Sequence, residues 1–319
     1  MNIMRYLRGP RLWLPTLLVI LVLAIAAVAT GCGSNSAVGD GGTVSTTSGT
    51  QTTVTIPPED TTTTTESPEP SSTTTTAKPA EETMKLKVYF SRDEKICALT
   101  RELPKTDAVG TAAVKALLQG PTAEEKEFGV FSNIPSGTTF LGLDIKNGVA
   151  TVDLSQEYAS GGGSLSMAMR LAEVVFTLTQ FPTVEGVNFK LDGEPVEVFG
   201  GEGIILDHPV NRTDYEELSP AILVESPTLG ETVKSPVRVT GTANVFEATF
   251  QLQVTDWDGL IVADKVVTAT SGTGTRGTFD VTVPFEVSQS GLGSIIVFVY
   301  SAKDGRPENI IEIPVSIVK

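Results

Sequence analysis

From Gly33 to Thr83 the chain offers almost nothing that it could bury. The stretch is built mainly from threonine, serine, proline and glutamate, with unbroken runs at Thr61–Thr65 and Thr73–Thr76. Without apolar surface to remove from water, nothing offsets the entropy of ordering such a segment. Folded structure must therefore lie beyond it. Residues 32–83 are expected to form a Thr/Ser/Pro-rich disordered tether. As a coil such a tether spans about 40 Å, and drawn toward polyproline II geometry ~150 Å.

Ahead of the tether, Arg5, Arg8 and Arg11 precede a charge-free apolar run from Leu17 to Ala29, which closes on Ala29-Thr-Gly-Cys32. Positive, then apolar, then small is the order of an export signal. The run is shorter than the ~20 apolar residues of a spanning helix. Leu12–Val28 could be stretched to that length, which makes an uncleaved single-pass anchor the alternative. The small residues before the cysteine resemble the bacterial lipobox, with Ala29 where that pattern most often has leucine. The resemblance implies a lipoprotein signal peptide over residues 1–31, cleavage between Gly31 and Cys32, and diacylglycerol and palmitate carried on Cys32. The expected location is the extracytoplasmic face of the cell membrane, with the lipid bilayer as partner through acylated Cys32. Two acyl chains hold a protein stably where one is marginal.

Charge narrows the remaining partners. The net charge is −15, and the excess of acid is spread evenly over the tether and the two regions that follow it. An acidic chain with no basic stripe gains nothing from releasing phosphate counterions, so nucleic acid is not an expected partner. The two cysteines, Cys32 and Cys97, make no disulfide framework if Cys32 is acylated. Cys97 in Ile96-Cys-Ala-Leu99 reads as a small apolar strand residue, and the single histidine, His208, as a loop residue.

Residues 84–207 alternate between two periodicities. Lys85–Ser91 reads as a half-buried strand with Ile96–Leu103 as its neighbour. Thr106 or Asp107 is placed to cap a helix whose Val109, Ala112, Ala113, Ala116 and Leu117 share a face, and Gly120-Pro121 ends it. Thr138–Lys146 and Val149–Leu154 flank Asn147-Gly148, a strong hairpin signal. Ser164 is expected to cap a second helix with a stripe of Leu165, Ala168, Ala172, Val175 and Phe176, broadened by Leu171 and Leu178 and ended at Phe181-Pro182. Val187–Leu191 and Val196–Phe199 follow as strands around Asp192-Gly193. Two helices on one side of a mainly antiparallel sheet would bury both stripes, an α+β arrangement.

Val88-Tyr-Phe90, Ala116-Leu-Leu-Gln-Gly-Pro121, Ile134-Pro-Ser-Gly-Thr138, Gly148-Val-Ala-Thr-Val-Asp-Leu-Ser155 and Thr177-Leu-Thr-Gln-Phe-Pro182 occur in that order. Together they resemble the GerMN domain of sporulation and spore-germination proteins and of other envelope lipoproteins. The resemblance implies a compact α/β fold, similar to the ring-building modules of secretion systems, with no known catalytic site. Residues 208–219 read as a linker.

From residue 220 to 319 the helix signals vanish. Ile222–Glu225, Val237–Gly241, Thr249–Thr255, Ile261–Thr268, Gly277–Val283, Ser294–Ser301 and Ile310–Ile317 are short β-rich runs separated by turn residues, the pattern of an all-β sandwich. Pro227, Ser235-Pro-Val237, Gly241-Thr-Ala-Asn-Val-Phe-Glu-Ala248 and Ser301-Ala-Lys-Asp-Gly305 resemble the immunoglobulin-like domain that follows GerMN in spore-germination proteins. Phe279 stands where a tryptophan is expected. The fold class expected is an α+β GerMN-like domain followed by an all-β immunoglobulin-like sandwich.

Motifs for chemistry are sparse. There is no HExxH and no CxxC, and one histidine leaves little for a catalytic triad or a multi-histidine metal site. Gly161-Gly-Gly-Ser-Leu-Ser166 lacks the final glycine and the feeding strand of a nucleophile elbow, and reads as a loop into the Ser164 cap. Asp256-Trp-Asp-Gly259 lacks the later ligands of a calcium loop and reads as a hairpin turn. Glu124, Glu125 and Glu127 read as a solvated face, and Asn211-Arg-Thr213 as a sequon without consequence in a bacterium. No catalytic residue, cofactor or metal site is expected. The resulting expectation is a non-enzymatic binding or assembly module of the cell envelope, linked to sporulation or germination, with an envelope protein or cell-wall partner. A sensor of small molecules or wall fragments is the alternative, and a carboxylate-only envelope hydrolase stands behind it.

Overall fold

The structure is a computed structural model, and it describes residues 82–201 and 203–319. Gly31, Cys32, the expected signal peptide and the expected tether up to Glu81 lie outside the described residues, and Thr83 already belongs to the first strand. Among the described residues no helix is long and apolar enough to cross a membrane.

The first part opens with a long antiparallel ribbon, β1 (Thr83–Arg92) and β2 (Lys95–Pro104), in continuous register from Thr83↔Pro104 to Arg92↔Lys95. Its two-residue turn places Asp93 and Glu94 at φ 51° and 57°. Helix α1 (Val109–Leu118) follows, then the short α2 (Ala123–Glu127). The hairpin β3 (Phe140–Lys146) and β4 (Val149–Leu154) forms around Asn147-Gly148, both at positive φ as expected. Helix α3 (Ser164–Leu178) crosses over to β5 (Gly186–Leu191), which runs parallel to β4. The short strands β6 (Glu194–Pro195), β7 (Val198–Phe199) and β8 (Ile204–Ile205) complete this part. One sheet has the order β3-β4-β5-β6, while β1-β2 and β7-β8 are separate ribbons.

Several local expectations are corrected. Helices α1 and α3 pack on each other and on the β3-β4-β5 sheet as expected, but that sheet is mixed, with β4 and β5 parallel, and β1-β2 is a separate ribbon. Helix α3 packs on β1, on β2 and on β5, so it is covered on every side: from Met169 to Leu178 each residue is buried, Arg170 and Glu173 included. An amphipathic stripe is the wrong description of a helix held between two ribbons. Leu165 stays 47% exposed because it precedes the covered turns. The N-cap of α1 is Ala108, with no side-chain cap, and Thr106 instead accepts the Ala108 amide at 3.2 Å. The N-cap of α3 is Gly163, and Ser164 is the first helical residue. The expected strand Val196–Phe199 is divided, since the tight Asp192-Gly193 turn returns the chain at Glu194.

The second part is a sandwich. Strands β9 (Ile222–Ser226), β10 (Thr232–Lys234), β11 (Val237–Ala243), β12 (Thr249–Thr255), β13 (Ile261–Thr268), β14 (Gly277–Val283), β15 (Gly291–Tyr300) and β16 (Pro307–Val318) form two sheets. Their orders are β10-β16-β15-β12-β13 and β14-β11-β9. Each of the seven expected runs is a strand, and β10 is an addition. Phe279 fills the position expected of tryptophan, buried and edge-on to Phe250 at 4.9 Å between ring centres. Gly241 makes this packing possible. A Cβ there would sit 2.0 Å from the Leu223 carbonyl oxygen and 2.8 Å from the Phe279 ring.

The two parts share more than a covalent connection. Residues Arg212–Leu218 form a 3-10 helix, capped by Asn211 and Asp214 reciprocally, with Tyr215 buried. Leu223, on β9 of the sandwich, packs into the core of the first part.

Candidate functional site

Ionisable side chains inside the protein mark the places where its structure departs from simple apolar packing. Two such clusters stand out, together with a surface groove. The first lies at the junction. Arg212, on the connecting 3-10 helix, donates from Nη1 to Glu225 Oε1 at 2.9 Å and from Nη2 to the Tyr89 hydroxyl at 3.1 Å. It also donates to the Phe176 carbonyl at 3.1 Å and to Thr179 Oγ1 at 2.9 Å. Tyr89 in turn donates to Glu225. The guanidinium lies 5.1 Å from the Tyr89 ring centre and 4.8 Å from that of Phe176. Strand β1, helix α3, the connector and strand β9 thus meet at one cation. Burial on its own would raise the Glu225 carboxyl, but the Arg212 charge and the Tyr89 hydroxyl outweigh it and hold it below the usual range. Burial pushes the Tyr89 phenol well above its ordinary value.

Around this cation the junction is stitched further. Thr228 Oγ1 bonds Thr100 Oγ1 at 2.9 Å, Arg92 reaches the Glu312 carbonyl at 2.8 Å, and Lys95 the Glu217 carbonyl at 2.5 Å. On the sandwich side Glu216 accepts from Arg276 at 2.8 Å and from Asn244 at 2.8 Å. The connecting turn is therefore bonded backward through Arg212 and forward through Glu216.

The second cluster lies within the first part. Glu173 on α3 is fully buried and accepts from Ser91 Oγ (3.0 Å), Ser132 Oγ (2.8 Å), the Asn133 amide (2.9 Å) and Asn133 Nδ2 (3.1 Å). Burial pushes its carboxyl up to about 7 against these four donors. One turn earlier, Arg170 donates to the carbonyls of Tyr158 (2.6 Å), Ser160 (3.0 Å) and Gly161 (3.1 Å). That answers the reading of Gly161–Ser166. The glycines wrap a buried guanidinium, and a Cβ at Gly162 would lie 3.1 Å from Arg170 Nη2.

The third feature is a groove of about 710 Å3 on the outer face of the β4–β5 sheet. Thr151, Asn188 and Lys190 are on its floor side, and the Pro195–Val198 strap and Ile205–Pro209 form its walls. The strap is held at both edges, Val196 donating to the Phe189 carbonyl at 3.0 Å and Leu206 to the Glu197 carbonyl at 2.8 Å. Val198 and Ile205, 59% and 66% exposed, face each other across the ribbon and give the rim an apolar edge. Lys190 forms no ion pair among the described residues. His208 stands at one end, with Nδ1 2.7 Å from Asp207 and Nε2 3.3 Å from Asp214, which together raise its pKa above the ordinary value. Such a surface can hydrogen-bond and ion-pair with a polar ligand along an apolar lip. Among the described residues no group of three or more His, Cys, Asp or Glu is placed to hold a metal ion.

The remaining residues singled out by sequence fall elsewhere. Cys97 is a half-buried strand residue of β2, and burial pushes its thiol up to about 12. Asp256–Gly259 is the β12–β13 turn, Asp256 Oδ1 accepting from the amides of Asp258 (3.1 Å) and Leu260 (2.9 Å). Asn211–Thr213 begins the connecting 3-10 helix. Of the acidic trio, Glu124 and Glu127 are solvated, but Glu125 is not. It forms a two-pronged pair with Arg101 at 2.5 and 2.8 Å and a capping box with Thr122. Sequence reading missed Tyr89, Arg212 and Glu225, and passed over Arg170 and Glu173. The signal for the last two was present: an arginine and a glutamate three apart inside an otherwise apolar helix.

The fold and junction define a class: a small mixed domain wrapped around one buried helix, locked side by side to an immunoglobulin-like sandwich. Residues 87–197 match the Germane family, described as sporulation and spore germination, and residues 221–306 match Gmad2, the immunoglobulin-like domain of bacterial spore germination. The chain therefore carries a GerMN-type domain followed by an immunoglobulin-like domain of the spore-germination type. It is 30% identical over 122 residues to Lipoprotein LpqB of Thermobifida fusca (strain YX), covering 38% of this chain and 19% of that one. It is 27% identical over 148 residues to Spore germination protein GerM of Bacillus subtilis (strain 168), covering 46% and 40%. The chain thus spans less than half the length of these curated relatives. Among solved structures, the first GerMN domain of the sporulation protein GerM from Bacillus subtilis aligns at 27% identity over 41% of this chain and 99% of that one, with a TM-score of 0.35.

Proposed function

We propose that this protein is an extracytoplasmic lipoprotein that displays a rigid, non-catalytic binding or assembly module in the cell envelope, in a process of the sporulation or germination type. Cys32 is the acylated residue, freed by cleavage after Gly31, and residues 32–83 are the tether. The module comprises an α+β GerMN-like domain (84–207), a linker (208–219) and the sandwich (220–319). The observation that carries this reading is the Arg212 junction. Its half-buried cation bonds both domains at once, so surfaces on the two are presented to a partner in one fixed relation. The half-buried Arg212 and Glu225 and the buried Glu173 are engaged by hydrogen bonds inside the protein, as a scaffold requires. The family matches and the lipoprotein among the relatives support the envelope setting. Labelled palmitate entering the wild-type chain but not Cys32→Ala is the expected result. Equal labelling of both would remove the anchor.

The groove favours a second reading, a sensor of wall fragments or small polar molecules. A ligand at a hundred times its dissociation constant stabilises the fold by about 2.7 kcal/mol. A thermal-shift screen of muropeptides and nutrients, with Lys190→Ala as control, separates this reading from the scaffold.

A further inference from the structure

One short loop of the sandwich holds an aromatic ring in water on strained backbone. Phe246, in the 3-10 turn Phe246–Ala248, is 70% exposed. The two residues after it, Glu247 and Ala248, adopt φ of 54° and 56°, a left-handed conformation that side chains other than glycine adopt rarely. The same pair of angles closes the β1–β2 hairpin at Asp93-Glu94, but here no hairpin turn supplies them.

The surroundings do so from a facing loop. The Thr273 amide donates to the Val245 carbonyl at 2.9 Å, the Glu247 amide to Thr273 Oγ1 at 3.1 Å, and the Gly274 amide to Asn244 Oδ1 at 2.9 Å. Gly272 leaves no slack, since a Cβ there would lie 2.4 Å from the Val245 oxygen and 2.6 Å from Ala248. Asn244 also bonds Glu216, which ties the loop to the domain junction. Beneath the turn Val245 is buried, while the Glu247 side chain is exposed and forms no ion pair among the described residues.

We propose that Phe246 and Glu247 form a preorganised docking knob for a second protein, one whose surface offers an apolar pocket with an arginine or lysine at its rim. Aromatic side chains dominate binding energy when they enter a desolvated pocket. A loop already fixed in its bound shape loses little freedom on association. The unpaired carboxylate beside the ring sets the charge that the rim must carry. This inference rests on the binding-module reading and names one face of it.

The test places a benzoylphenylalanine photocrosslinker in the full-length chain, in the cells that make it, at position 246, at Asn188 in the groove, or at Leu292 as an exposed control. The expected result is one discrete adduct from 246, absent from 292. Its yield should fall at least tenfold with Glu247→Lys, and return when a rim cation mapped on the captured protein is changed to glutamate. Glu247 is exposed, so an unchanged melting temperature of Glu247→Lys verifies the fold. An adduct unaffected by Glu247→Lys, an equal adduct from 292, or an adduct of two copies of this chain overturns the knob. An adduct from 188 alone overturns the knob but leaves the binding module standing, whereas no adduct from any position removes both.

Discussion

Arg212 and Glu225 lie on opposite sides of a domain boundary and are joined at 2.9 Å, with side chains 26% and 17% exposed. Such a pair is weak evidence for stability when compared with an apolar replacement, because desolvation offsets most of the attraction. Breaking it from one side is another matter. Arg212→Ala leaves Glu225 and the Tyr89 hydroxyl without their cation, and should destabilise the protein by roughly 3 kcal/mol. Arg212→Met, which keeps the packing on Tyr89 and Phe176, should cost about as much while Glu225 remains, and much less in combination with Glu225→Leu. Denaturant unfolding of the four proteins measures this difference.

Glu173 gives the protein a pH dependence with a defined sign. Its folded carboxyl titrates near 7, above the ordinary 4.5, because burial disfavours the charge more than its four donors favour it. Between those values the folded state holds a proton that the unfolded state has lost. Stability from this group is therefore complete below about 4.5 and declines as pH rises through 7. The full difference is roughly 3 kcal/mol. Glu173→Gln should flatten the wild-type slope between these limits, as urea midpoints at a series of pH values would show. Glu225 acts oppositely, its depressed carboxyl contributing stability that is lost only as pH falls below the ordinary carboxylate range.

Much of the fold was legible in the sequence. Period-two runs, Asn147-Gly148 and Gly120-Pro121 mark their elements because those signals are local: they depend on backbone preference and on one solvent-facing side. The sandwich strands were the clearest, since most of them keep water on one face, β9 with its buried Ile222, Leu223 and Val224 excepted. Helix α3 failed as a stripe because its neighbours cover every side, which its nearly all-round apolar run from Met167 to Leu178 already signals. The junction was illegible because its partners are far apart in the chain. Tyr89, Arg212 and Glu225 are separated by more than a hundred residues of chain at the extremes, and nothing near any of them marks it as a partner of the others. Leu223 reads as a sandwich residue and packs in the other core.

Gly241 carries a steric prediction. With the Leu223 carbonyl 2.0 Å from its would-be Cβ, and backbone rather than a flexible side chain in the way, Gly241→Ala must push β9 from β11. A loss of about 3 kcal/mol or more follows. A melting curve no lower than wild type would contradict the packing described for Phe279.

Cys97 should be inert in the folded protein. Burial holds its thiol near 12, so the reactive thiolate is scarce at neutral pH. Labelling with a disulfide reagent should be slow in the native protein and become rapid in denaturant. Fast labelling of the native protein would show the β1–β2 ribbon to be open at that position.

The central claim is that the junction centred on the half-buried Arg212 makes two domains a single body. Residual dipolar couplings measured on the folded region of the protein test it directly. Wild type should report one alignment tensor for strands β1–β5 and β9–β16 alike, and Arg212→Ala should yield two tensors of unequal magnitude. Two independent tensors in the wild-type protein would contradict the account.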